Sequence, residues 1–234
     1  MKVAIIETGA PPQSLRARHP AYPAMFERLL GPLAPGISFA TVTTDALPPI
    51  AAFDGLLLTG SPAGVYEGHD WIAPLEALIC AAADARKPTV GVCFGHQIMA
   101  QAFGGEVRKS DRGWGVGLHD YEVYAAPSWM APAQSRIACV VSHQDQVVTP
   151  PKSARRIAGS PFCENAILAY DHAPAISFQM HPEFDHAFAA DLYRARQERI
   201  GEALAADALS SLHGRSDRTL IGRWIANFYQ QRQR

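Results

Sequence analysis

The sequence predicts an α/β fold. A mostly parallel central sheet carries helices on both faces, beside a small additional antiparallel sheet and a set of C-terminal helices. Three observations lead there. Short apolar runs alternate with amphipathic stretches through the first half, the pattern of parallel strands joined by crossover helices. From about Gly105 to Ala169 the segments shorten and are separated by Pro, Ser and Asp, as in partly antiparallel strands. From Asp185 onward the chain turns helical, with an interruption near Gly214.

Lys2-Val3-Ala4-Ile5-Ile6 is the first strand expected. Tyr22 to Leu30 follows as a helix, because Met25, Phe26, Leu29 and Leu30 share one face. Ser38 to Val42 is a second strand. Gly55 to Leu58 is a continuous apolar run that stops at Gly60-Ser61-Pro62. A helix from about Trp71 to Ala85 ends in Arg86 and Lys87, which suit a helix C-terminus, and then Pro88. Thr89 to Val92 is a strand that runs straight into a helix after Cys93. Val116–Tyr124, Ile137–Val141 and Ala166–Tyr170 are the expected strands of the middle region, and Ala175 to Met180 is a strong late strand.

Of the 234 residues 48% are hydrophobic, enough to bury a large core without a metal or disulfide. The formal net charge of −1 draws the chain toward neither nucleic acid nor an acidic membrane surface, so neither is expected as a partner. Lys152, Arg155 and Arg156, and Arg232 and Arg234 in the tail, read as solvated surface. Cys80 and Cys139 lie in apolar runs and read as core; no two of the four cysteines have Cys-x-x-Cys spacing. No apolar stretch approaches a membrane span and no leader is seen, so a cytoplasmic location is expected. No repeat or linker divides the chain. One domain over 1–234 is expected, with a core at about 1–184 and a helical extension at about 185–234.

Gly91-Val92-Cys93-Phe94-Gly95 sits where a strand becomes a helix. Glycines two residues to either side of a nucleophilic side chain are the spacing of a nucleophile elbow. The turn crowds its neighbours, and residues without a Cβ relieve the crowding. It also places the thiol at the positive end of a helix, which favours the reactive thiolate. The motif is short, and a buried structural cysteine between two packing glycines fits it equally well. A catalytic cysteine needs a base and a group to hold that base. His181-Pro182-Glu183, just after the late strand, offers both. Pro182 biases His181 toward extended backbone, and residues two apart then project to one side. Two alternatives stand beside this one: a surface-loop histidine, and a metal site using His181, Glu183, Asp185 and His186. The metal reading ranks lower because the spacing matches no known ligand pattern and leaves Cys93 unexplained.

Gly91-Val92-Cys93-Phe94-Gly95-His96-Gln97 with His181-Pro182-Glu183 resembles the class I (triad) glutamine amidotransferases. Thr59-Gly60-Ser61-Pro62 resembles their oxyanion loop, and Ser142-His143-Gln144-Asp145 a segment they place near bound glutamine. The blocks occur in the family's order, across roughly Lys2 to Glu183, and look closest to stand-alone domains of the GMP synthase type. The resemblance implies a flavodoxin-like core and no cofactor or metal. It implies Cys93 as nucleophile, His181 as base and Glu183 as orienter, with the backbone N–H groups of Ser61 and Phe94 as oxyanion donors. Gly60, Gln97, Ser142, His143 and Gln144 are implied to contact the substrate, and His96 to pack or cap. The substrate implied is glutamine or another γ-glutamyl small molecule. Two departures stand out. Ser61 replaces a second glycine of the oxyanion loop, a change that keeps the backbone donor. The Ser-Gly-Gly-x-Asp-Ser nucleotide loop of a synthetase is missing, so any ammonia-accepting synthetase is expected on a separate chain. A γ-glutamyl peptidase is the alternative enzyme. A non-catalytic regulatory protein of the same fold is the alternative of another class, disfavoured because Cys93, His181 and Glu183 are all present.

Overall fold

The computed structural model describes residues 1–231; Arg232 and Arg234 lie outside the described residues. Eleven strands and seven α-helices follow in chain order: β1 (Lys2–Glu7), α1 (Tyr22–Leu30), β2 (Ser38–Thr43), β3 (Gly55–Leu58), α2 (Ile72–Asp84), β4 (Thr89–Val92), α3 (Phe94–Ala102), β5 (Glu106–Lys109), β6 (Gly115–Val123), β7 (Arg136–His143), β8 (Asp145–Thr149), β9 (Ala154–Gly159), β10 (Ile167–Tyr170), β11 (Ala175–Phe178), α4 (His186–Ala195), α5 (Gln197–Ile200), α6 (Glu202–Ser211) and α7 (Arg218–Gln231).

Nine strands form one sheet in the order β2-β1-β3-β4-β11-β10-β9-β6-β7. Its first five strands are mutually parallel, and every later pairing is antiparallel. The sequence led us to expect antiparallel strands packed beside the main sheet. Most of them instead extend it, because β10 pairs directly with the last parallel strand, β11. The small separate antiparallel sheet is β5 with β8.

The inner parallel strands β1, β3, β4 and β11 are buried on both faces, which explains their apolar runs, while β2 at the edge is partly exposed. Side chains alternate between faces along a strand. Val3, Ile5 and Leu57 therefore join one core with α1 and α7, while Ala4, Ile6, Leu56 and Leu58 join another with α2 and α3. A third cluster packs α4 and α6 on Val116 and Val140 of the antiparallel half. Cys139 is fully buried, as expected, but Cys80 is only partly buried, with its thiol near Ala102 O. Cys80 lies on the expected helix, α2, and a helix carries only one stripe into the core. Arg86 and Lys87 do not sit on the last turn of α2. Arg86 takes the left-handed position after it, at φ 55°, and Lys87 Nζ donates to Ile50 O at 2.7 Å.

The parallel strands run in the order 2-1-3-4-5 of a flavodoxin-like sheet, where the C-terminal strand edge is the usual ligand site. Four loops leave that edge side by side: Thr8-Gly9 after β1, Thr59 to Pro62 after β3, Cys93 after β4, and the segment leading to His181 after β11.

Candidate active site

Cys93 links β4 directly to α3 with φ 53° and ψ −102°, a conformation that non-glycine residues avoid. Packing forces it there. A Cβ on Gly91 would collide with Gly95 O, and one on Gly95 would lie 2.5 Å from Leu58 O. Both glycines thus let α3 drop onto β3 and β4, and the turn at Cys93 closes the difference. Strain of this kind, typically about 1–3 kcal/mol, is held by two backbone bonds: Cys93 N donates to Phe178 O at 2.8 Å, and Gly95 N to Thr59 O at 3.1 Å.

The second bond ties the elbow to the loop after β3. Thr8 fastens that loop from the other side. Its hydroxyl donates to Thr59 O at 3.0 Å, and its amide donates to Thr59 Oγ1 at 3.1 Å. Gly9 lets the loop approach, since a Cβ there would lie 2.7 Å from Pro62 Cδ. Among the described residues, no acceptor takes the amides of Ser61 or Phe94. Thr8 and Gly9 are not residues that the sequence pointed to. A Thr-Gly directly after the first strand was the available signal.

His181 and Glu183 are 3% exposed each, and Cys93 is 5% exposed. His181 Nδ1 donates to Glu183 Oε1 at 2.7 Å. The imidazole stacks face to face on Phe184, with centroids 4.0 Å apart. Its amide donates to Val140 O at 2.8 Å, and Arg218 donates to the carbonyls of Pro182 and Glu183. The Cε1 edge of the ring meets the Gly60 loop. A Cβ on Gly60 would lie 2.9 Å from His181 Cε1 and 3.6 Å from Cys93 Cβ. Cys93, His181, Gly60 and Ser61 line one small cavity. Burial alone would lower the proton affinity of His181, but Glu183 and Cys93 outweigh it and hold the imidazole in its charged form well above the usual range. His181 is thus not a surface-loop residue. Of the other residues in the metal alternative, Asp185 caps α4, accepting from Phe188 N at 2.8 Å.

A wider cavity opens on the far side of Cys93. Gln97, Ser142, His143 and Gln144 all line it, as does Ser61. Gln97 Nε2 donates to Asp145 O at 2.9 Å, and His143 Nδ1 donates to the same carbonyl at 3.1 Å. These side chains hold the turn between β7 and β8 in place. Burial lowers the pKa of His143 to about 3, so the ring is neutral. His96 points away from the cavity into the core. Its Nδ1 pairs with Ser177 Oγ at 2.8 Å, and burial takes its pKa to about 3. Gly113, at φ 77°, turns the chain into β6, and Trp114 beside it lines the cavity. Arg196, between α4 and α5, also lines the cavity, and nothing in the sequence singled it out among neighbouring arginines.

Known proteins are similar to this chain in sequence or in fold. The chain is 31% identical over 138 residues to gamma-glutamyl peptidase 2 of Arabidopsis thaliana, covering 57% of this chain and 54% of that protein. It is 34% identical over 102 residues to a subunit of the glutamine-hydrolyzing GMP synthase of Methanospirillum hungatei, covering 44% and 54%. The chain therefore spans about half the length of these curated relatives. A glutamine amidotransferase from Thermotoga maritima has the same fold, with a TM-score of 0.77 at 17% identity over 99% of this chain and 97% of that one. One from Methylobacillus flagellatus matches at 0.73 and 22% identity, over 99% and 92%. Residues 35–194, more than half of the chain, match the family described as glutamine amidotransferase class-I, and the chain belongs to that family.

Proposed function

We propose that the chain hydrolyses the side-chain amide of glutamine through a γ-glutamyl thioester on Cys93, releasing glutamate and ammonia. The observation that carries this reading is the meeting of a strained Cys93 elbow with a buried His181–Glu183 pair at adjacent strand ends. Cys93 Sγ attacks the γ-carbonyl carbon, and the oxyanion that forms faces the amides of Ser61 and Phe94. His181 gives its proton to the departing nitrogen as the C–N bond breaks. His181 then takes a proton from water, whose oxygen attacks the thioester and frees glutamate. Glu183 orients the ring and stabilises its charged form. Gly60, Gln97, Ser142, His143 and Gln144 shape the pocket for the γ-glutamyl group.

A second reading is favoured by the likeness to gamma-glutamyl peptidase 2: the same chemistry on γ-glutamyl peptides, with an amine in place of ammonia. In the first reading, the likeness to part of a GMP synthase points to a separate synthetase chain as acceptor of the ammonia. The test is steady-state release of glutamate from glutamine and from a γ-glutamyl peptide by the purified chain, with Cys93→Ala as blank. Loss of the nucleophile should remove several orders of magnitude in rate. Equal release by a folded Cys93→Ala protein would overturn both readings. Faster release from the peptide than from glutamine would select the second.

A further inference from the structure

Arg196 is a charged group that the chemistry above does not use. It lies in the short connection between α4 and α5, two residues beyond the segment that matches the family. Its side chain is partly buried. It lines both the small cavity shared by Cys93 and His181 and the wider one beyond Cys93. Nη1 donates to Ser142 Oγ at 2.8 Å. Among the described residues, Ser142 Oγ is the one acceptor it meets, and no carboxylate lies within ion-pairing distance.

A second guanidinium makes the imbalance larger. Arg199 lines the wider cavity too, lying over the Trp114 ring at 4.9 Å. The proton affinity of Arg196 is lowered, first by burial and also by repulsion from Arg199. Two carboxylates at the same cavity are engaged elsewhere. Asp145 accepts from Tyr66 at 3.0 Å, and Glu67 pairs with His69 at 2.8 Å. A partly buried guanidinium without a counter-charge is costly to hold at a cavity wall, and a ligand carboxylate would supply both the charge and the acceptors for its remaining N–H groups. Arg and carboxylate match in shape, with two parallel N–H···O bonds.

We propose that Arg196 is a specificity-determining residue that seats a free carboxylate of the substrate beside Cys93. The proposal rests on the γ-glutamyl amide chemistry given above. The carboxylate has two sources: the α-carboxylate of the γ-glutamyl group itself, or that of an amino acid leaving group. Ser142 joins the seat by holding Nη1, which fixes the plane of the guanidinium.

The experiment compares Arg196→Gln and Arg196→Lys with the intact chain on two substrate pairs. Glutamine is paired with its α-amide, and γ-glutamylglycine with its C-terminal amide. The intact chain should prefer the carboxylate member of one pair, and that pair identifies the source. Arg196→Gln should erase the preference by raising KM for the carboxylate member about 10- to 100-fold, the scale of one charge-assisted hydrogen-bond pair, with a smaller change in kcat. Arg196→Lys should recover part of it. Equal losses on both members of both pairs, in variants that melt like the intact chain, would overturn the proposal.

A second readout needs no turnover. Calorimetric binding of γ-glutamylglycine to Cys93→Ala should weaken by the same factor when Arg196→Gln is added, and binding of glutamine should weaken with it where the α-carboxylate is the source. Unchanged affinity for both would also overturn it. No turnover of any of the four compounds by the intact chain, together with this binding pattern, would contradict the hydrolysis reading and leave the carboxylate seat standing.

Discussion

Around single residues, the site is built from atoms that are missing as much as from those present. Gly60 illustrates this. A methyl there would press on His181 Cε1 at 2.9 Å, in a ring that Glu183 holds at Nδ1 and Phe184 holds by its face. Gly60→Ala should therefore displace the imidazole and cut turnover about 100-fold, the scale of a 1 Å misplacement. The melting temperature should stay close to that of the intact chain; unchanged turnover would contradict this account of the ring's position. His181→Ala should cost nearly as much as loss of Cys93, and Glu183→Gln less, since the carboxylate acts through the ring. The pH dependence follows from the His181 charge. Its pKa in the folded chain is raised to about 10, against an ordinary 6.5. The stabilisation is fully present below the ordinary value and is lost as pH rises through the folded one. Stability should therefore decline gradually from pH 6.5 upward, while turnover, which follows the folded chain alone, should fall on the alkaline side. Glu183→Gln should move that fall toward neutral pH, as a pH–rate profile would show. A profile that does not move would detach Glu183 from the ring.

Among elements, the inner parallel strands and α3 were legible because burial leaves long apolar runs. β5, β8 and β9 were not. Glu106–Lys109 and Ala154–Gly159 carry charged residues on exposed positions, and their strand character comes from pairing partners distant in sequence. The helical tail was anticipated as helical, but its role was hidden. Trp224 on α7 is fully buried under the sheet and donates from Nε1 to Pro132 O at 3.0 Å. Tyr229 sends its hydroxyl to Leu56 O on β3 at 2.6 Å. Trp224→Ala should cost about 3–5 kcal/mol, the usual range for a buried aromatic. Chemical denaturation measures this, and a loss under about 1 kcal/mol, the size of an ordinary surface change, would show that α7 is peripheral.

For the whole molecule, the C-terminal helices share cores with the strands. Trp224, Ile225 and Tyr229 belong to the same cluster as Val3 and Leu57, and Leu192 packs with Tyr22. We infer that residues 1–234 fold as one unit, with no independent core at 1–184. A fragment ending at residue 184 should lack a cooperative thermal transition; a sharp transition near that of the full chain would separate the two parts. Among the described residues, no helix is long and apolar enough to cross a membrane.

Patterns within the chain were enough to establish the parallel half of the fold and to mark the residues that meet at its edge. Those features are local or periodic. Gly91 and Gly95 flank Cys93 within one turn, and Glu183 reaches His181 across a single proline. What brings Cys93 to His181 is the pairing of β4 with β11, strands separated by most of the antiparallel region. Which arginine enters the site came from the folded chain alone. Arg194, Arg196 and Arg199 are chemically alike in the sequence, yet Arg194 pairs with Asp191 at the surface while Arg196 turns inward to Ser142. The break between α4 and α5 sets that direction, and it depends on how both helices pack against the sheet, which no local pattern records.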